Sequence, residues 1–256
     1  MLRAFRGAFR MELQTMRAYP DALIPLMMAP LFSVIFLAIL RHADRSDLTG
    51  YAVMAPVLIS LWWLALFQSG GIIQSDRWLG TIEPVVAAPT PLAVVVGGRV
   101  AAVTVLGLVS FGEVWLVTWA VFGERVGIHH PARFVLTLAV TALAMAGTAL
   151  VMAALFVLSR TSATFQNSAS YPFYVLGGVL VPVSFLPGWI QPLSKVVFLS
   201  WSADLLRSTL GAGPVHHFAF RLSMVLLLGA CGAGLGWTMI ERFLRRVRGS
   251  GDLGLA

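Results

Sequence analysis

Apolar residues gather in six long runs, near residues 22–40, 51–73, 92–122, 133–158, 170–186 and 221–240, and charged residues collect at their ends. A helix needs about 20 predominantly apolar residues to cross the hydrocarbon core of a bilayer. The pattern therefore predicts an all-α membrane protein of about six transmembrane helices. Spans of that length use about half the chain and leave short loops, with no room for a second globular domain.

Two segments depart from this plan. Over residues 1–20, Arg3, Arg6, Arg10 and Arg17 fall within a narrow arc at helical spacing, while Leu2, Phe5, Phe9, Leu13 and Met16 gather on another face. That predicts an amphipathic interfacial helix whose arginines meet anionic headgroups, with Pro20 ending it before the first span. The first apolar run is too long for the h-region of a signal peptide and reads as a retained span. Between the fifth and sixth runs, Pro182, Pro187 and Pro192 recur every five residues beside Gly188, with Trp189 and Trp201 nearby. Such spacing breaks a continuous helix, so residues 182–207 are expected to form short re-entrant helices in the outer leaflet, anchored by tryptophan. An external loop with short interfacial helices is the alternative. In the last span Gly232 and Gly236 form a GxxxG, which permits close helix approach.

Composition strengthens the membrane reading: 58% of residues are hydrophobic and 11% charged, against roughly 25% charged in an ordinary soluble domain. A soluble catalytic domain is not expected. The net charge of +7 sits at the ends of apolar runs rather than in a patch interleaved with aromatics, so no nucleic-acid partner is expected. An even span count puts both termini on one side. With that side inside, eleven of the basic residues are internal and seven external, densest at the termini, which favours both ends in the cytoplasm. Seventeen arginines against one lysine, with abundant alanine and valine, hint at a GC-rich bacterial source and hence a bacterial cytoplasmic membrane. The single cysteine, Cys231, excludes an intrachain disulfide and a Cys/His metal cluster.

Few residues suggest chemistry. The lone Lys195 lies between Ser194 and Val196, so the chain has no P-loop. His129/His130 and His216/His217 lack the HExxH spacing of a zinc hydrolase and read as loop residues, and no GxSxG elbow occurs. No catalytic residue, metal or cofactor is assigned to this chain. Glu113 lies midway along the third run, one turn after Ser110. An ionisable group at that depth is costly unless paired or hydrated, so it should face the bundle, as a packing residue or on a substrate or proton path. On a helix over 75–90, Trp78, Leu79, Ile82, Val85 and Val86 share one side and Asp76, Gly80 and Glu83 the other, until Pro84 ends or kinks it. By its residues this segment is either a solvated loop or a docking element.

The run DRWLGTIEPVVAAPTPLAVVVGGRV resembles the segment after the second span of ABC-2 type transporter permeases, with its acidic residue, Gly-Thr-x-Glu and later Thr-Pro. PVSFLPGWIQPLSKVVFLSWSADLLR resembles their signature before the last span, with Pro182, Ser184, Leu186, Pro187, Trp189, Gln191 and Arg207 at matching places. With the six-span plan, the resemblance covers essentially the whole chain and is to daunorubicin-resistance-like membrane subunits of ABC exporters. It implies a single ABC-2 transmembrane domain over 1–256 that pairs with a second permease, the same or a related chain. It further implies two P-loop ATPase subunits that bind ATP and Mg and power export of an amphipathic drug-like or lipid-like substrate. Segment 75–90 would then be the coupling helix, with Asp76, Arg77, Thr81 and Glu83 as coupling residues. Asp76 stands where the family often has glutamate, Pro84 interrupts the helix, and Phe198 stands where proline is expected. Three other readings stay open: a proton-coupled secondary transporter using Glu113, an intramembrane lipid-modifying enzyme in which His129, His130, Asp204, His216 and His217 converge, and a purely regulatory or scaffold subunit with no substrate path.

Overall fold

The computed structural model describes residues 1–18, 24–44, 48–68, 91–123, 126–158 and 162–250, and every element among them is helical. In chain order these are α1 (Leu2–Ala18), α2 (Ile24–His42), α3 (Thr49–Trp63, continued by a π-helical turn Leu64–Gln68), α4 (Leu92–Gly107), α5 (Val109–Phe122), α6 (Pro131–Leu158) and α7 (Ser162–Leu176). Beyond α7 come a 3₁₀ turn (Val183–Phe185), α8 (Gln191–Ser194), α9 (Phe198–Leu210) and α10 (Phe218–Ser250).

Four stretches among the described residues are long and apolar enough to cross a membrane: Thr49–Leu66, Leu92–Phe122, Pro131–Leu155 and Phe218–Arg242. A shorter apolar helix spans Leu26–His42. Large apolar side chains point outward along them, among them Met27, Leu31, Trp115, Trp119, Leu143 and Leu235. A water-soluble monomer does not carry apolar surface on that scale, so the chain is a multi-pass membrane protein.

The third run is not one straight rod. Leu108 forms a joint between α4 and α5, and Ser110 donates its hydroxyl to the Gly107 carbonyl at 2.6 Å, closing the backbone there. The fifth helix lies earlier than the apolar run at 170–186 indicates. It ends at Leu176, because Gly178 takes a left-handed φ of 60° that most side chains resist. Pro182 then holds an extended backbone. The apolar residues beyond are used for packing: Val179 is fully buried. Pro187, Gly188 and Pro192 divide the chain between Pro182 and Leu210 into the 3₁₀ turn, the four-residue α8 and the longer α9. Phe198 opens α9 and is buried, its ring 6.4 Å from that of Trp62.

Two helix contacts position everything else. α10 runs beside α6 in the most extensive contact of the fold. A Cβ at Gly229 would lie 2.6 Å from the Ala144 Cα, and one at Gly236 2.6 Å from the Leu150 backbone. The contacts advance together along both helices, so α6 and α10 are parallel, and the GxxxG glycines serve an interface within the chain. The core centres on Trp62, fully buried, with its ring 4.6 Å from that of Phe173. The second contact seats α1 on α4.

Candidate functional site

α1 is amphipathic as its sequence indicates, and Arg3, Arg6, Arg10 and Arg17 are exposed. Its buried stripe is Ala8, Glu12 and Met16, and this faces α4 rather than the surroundings. Gly98 admits the approach: a Cβ there would lie 2.6 Å from the Phe5 carbonyl oxygen. One helical turn from Ala8, the Glu12 carboxylate accepts a hydrogen bond from the Arg99 Nε at 2.6 Å, with both side chains about 95% buried. Charged residues are seldom buried to that degree unless paired. The pair therefore ties the N-terminal helix to the first turns of α4. Glu12 is the residue that sequence reasoning missed. Its signal was present but faint: a carboxylate on the i, i+4 row of Ala8 and Met16 within an otherwise basic helix.

α4 begins directly after segment 75–90. Asp76, Arg77, Thr81 and Glu83 lie outside the described residues, as does Arg45 in the α2–α3 connection.

A cavity of about 490 Å³ opens between α2, α3 and α7. Met28, Phe32, Phe36 and Trp63 form apolar walls, and Ser170 and Tyr174 add polar edges. Most of the surface is hydrocarbon or aromatic ring, with a few hydroxyl groups to orient a guest, as in sites for small organic ligands.

Glu113 is half-buried on α5, and one of its carboxylate oxygens is buried with no hydrogen-bond partner among the described residues. Ser110 is fully buried and engaged at the α4–α5 joint.

At the end of the bundle away from Glu12 and Arg99, the 177–210 segment folds over the start of α3. The Arg207 guanidinium lies 3.7 Å from the centre of the Tyr51 ring and donates to the Val179 carbonyl at 2.9 Å. Burial lowers its pKa to about 10, which leaves it charged at neutral pH. Of the other residues of the signature before the last span, Pro182 lines a polar pocket beside Arg207, and Pro187 and Trp189 are exposed. Three of the residues an intramembrane enzyme would need have partners of their own. Nδ1 of His129 bonds to the Leu210 carbonyl, Nε2 of His130 bonds to the Gly213 carbonyl, and Asp204 pairs with Arg221. No group of three or more His, Cys, Asp or Glu side chains among the described residues could hold a metal.

No curated protein matches the chain. The family model of the ABC-2 type transporters matches residues 3–210, which takes in α1, the segment between α3 and α4, the α2–α3–α7 cavity and the proline-broken region through α9. By that match the chain belongs to the ABC-2 type transporter family and is a membrane-embedded transport subunit of an ABC transporter.

Proposed function

We propose that this permease exports an amphipathic, drug-like or lipid-like molecule from the bacterial cytoplasm, driven by two separate P-loop ATPase subunits that bind ATP and Mg. The observation that carries the substrate class is the α2–α3–α7 cavity, whose walls suit an apolar body and whose rim hydroxyls suit a polar group. A second permease subunit, the same or a related chain, faces the mouth of that cavity, so that the path lies between two copies. Both termini lie in the cytoplasm, and residues 182–207 sit in the outer leaflet.

ATP-driven closure of the ATPase pair acts on segment 75–90 through Asp76, Arg77, Thr81 and Glu83. Motion of that segment reaches α4 first, since α4 begins at Leu92. α1 moves with α4, because the Gly98 approach and the Glu12–Arg99 pair lock the two together. The opening between the permeases then changes as rigid bundles shift.

The test is ATP-dependent uptake of an amphipathic fluorescent cation into inside-out vesicles that contain the chain and its ATPase. Uptake that requires ATP and falls on Ser170→Trp, which fills the cavity, is the expected result. Transport that persists without ATP hydrolysis but collapses with the proton gradient would overturn the reading in favour of Glu113 as a proton carrier.

A further inference from the structure

The pocket at the far end of the bundle is a built polar site that export through the α2–α3–α7 cavity does not use. It encloses about 330 Å³ between the start of α3, the Gly178–Ser184 turn, α8 and α9. That volume is at the lower end of the range for small-ligand sites, roughly 300–1,000 Å³. Its floor is held by backbone-directed hydrogen bonds. The Ser200 hydroxyl donates to the Ser194 carbonyl at 2.5 Å, and the Trp201 indole N–H donates to the Lys195 carbonyl at 2.9 Å. Gln191 Nε2 donates to the Leu186 carbonyl at 2.9 Å. These bonds fix the Ser194–Lys195 corner and engage its carbonyl acceptors.

The polar side-chain groups left unengaged around the pocket are mainly donors. Ser194 is 1% exposed, lines the cavity, and its hydroxyl has no partner among the described residues. The buried Arg207 Nε likewise has none. Lys195 is exposed at the rim and adds an ammonium group. The one carboxylate in the lining, Asp204, is paired with Arg221, so its charge is offset from outside the pocket. The lining therefore holds two cations, Lys195 and Arg207, against one carboxylate whose own partner lies outside it. A buried, unpartnered hydroxyl and a buried, unpartnered guanidinium N–H are costly in an empty site and favourable beside an anion.

We infer that the pocket formed by Tyr51, Ser194, Lys195, Trp201 and Arg207 binds a phosphate group, supplied either by the headgroup of an anionic phospholipid or by a soluble phosphate. The guanidinium and ammonium groups meet the phosphate oxygens, and the Ser194 hydroxyl donates to one of them. The inference is independent of the export reading and of the ATPase partner, since it concerns only groups within this chain.

Native mass spectrometry of the purified full chain tests it, in micelles doped with equal amounts of phosphatidylglycerol and phosphatidylcholine. The expected result is retention of phosphatidylglycerol over phosphatidylcholine, with Lys195→Gln and Ser194→Ala each lowering that preference about tenfold, the equivalent of one charge-assisted hydrogen bond. Lys195 is exposed, so its replacement leaves the fold intact, and Arg133→Gln, on the exposed start of α6, should leave the preference unchanged. Inorganic phosphate then separates the sources. Release of the lipid by millimolar phosphate assigns the site to a soluble phosphate group, and retention assigns it to the lipid headgroup. Equal binding of the two lipids by the parent chain with no uptake of inorganic phosphate, or a preference that survives both Lys195→Gln and Ser194→Ala, overturns the proposal.

Discussion

Replacing Glu12 by alanine removes the carboxylate that sits 2.6 Å from the Arg99 Nε inside the α1–α4 contact. Both side chains are almost completely shielded, at 5% and 6% exposure. Truncating one partner of such a pair costs roughly 3–5 kcal/mol, because the remaining ion has lost its hydration without keeping its counter-charge. α1 sits at one end of the bundle, where Arg99 can regain some water once the helix lifts, so the lower figure, about 3 kcal/mol, applies. That energy is local, since the extensive contacts of α1 are with α4. The expected outcome is detachment of α1 with the rest of the bundle intact: hydrogen exchange at the α1 amides should rise about 100-fold, while exchange in α6 and α10 stays constant. Glu12→Leu combined with Arg99→Met, an apolar pair of similar bulk, should recover most of the protection. If Glu12→Ala leaves α1 exchange unchanged, the ion pair does not hold the helix. If the apolar double variant is no better than the single one, the loss comes from packing and not from charge.

The α6–α10 interface gives a second prediction. Gly236→Ala gains up to about 1 kcal/mol of helix propensity, but its Cβ would lie 2.6 Å from the Leu150 backbone. Overpacking of that kind costs about 1–3 kcal/mol, so the variant should melt lower, whereas Gly234→Ala, with nothing within 4 Å, should be neutral or stabilised. At the coupling segment, charge reversal at Arg77 or Glu83 should release a co-purifying ATPase while the permease stays folded by size-exclusion chromatography. An intact complex in both variants removes these residues from the contact. Glu113→Gln should leave ATP-driven transport in place, and abolition of transport with normal expression would make Glu113 a proton carrier.

Much of this architecture was legible along the chain, because each span must satisfy its own backbone in lipid and therefore writes a long apolar run into the sequence. α2, α3, the α4–α5 pair, α6 and α10 overlap the expected runs closely. The arginine arc of α1 was equally plain, since amphipathicity is a local property of helical spacing. The fifth helix was misplaced because hydrophobicity does not distinguish residues that cross a membrane from residues that pack against a bundle. Val179 is as apolar as a lipid-facing valine, yet it is buried beyond a left-handed Gly178.

Composition, run lengths, basic residues and two motifs together determined the class of the protein: a helical membrane subunit of the ABC-2 type. Tertiary structure alone decided which residues meet. Glu12 and Arg99 are 87 positions apart, and nothing local to either specifies the other. Arg207 reaches Tyr51 only because Gly178 and the prolines after it turn the chain back over α3. The difference is physical: membrane insertion is set by each segment's own transfer from water, whereas pairing depends on the register and crossing of helices packed side by side, which no single segment encodes.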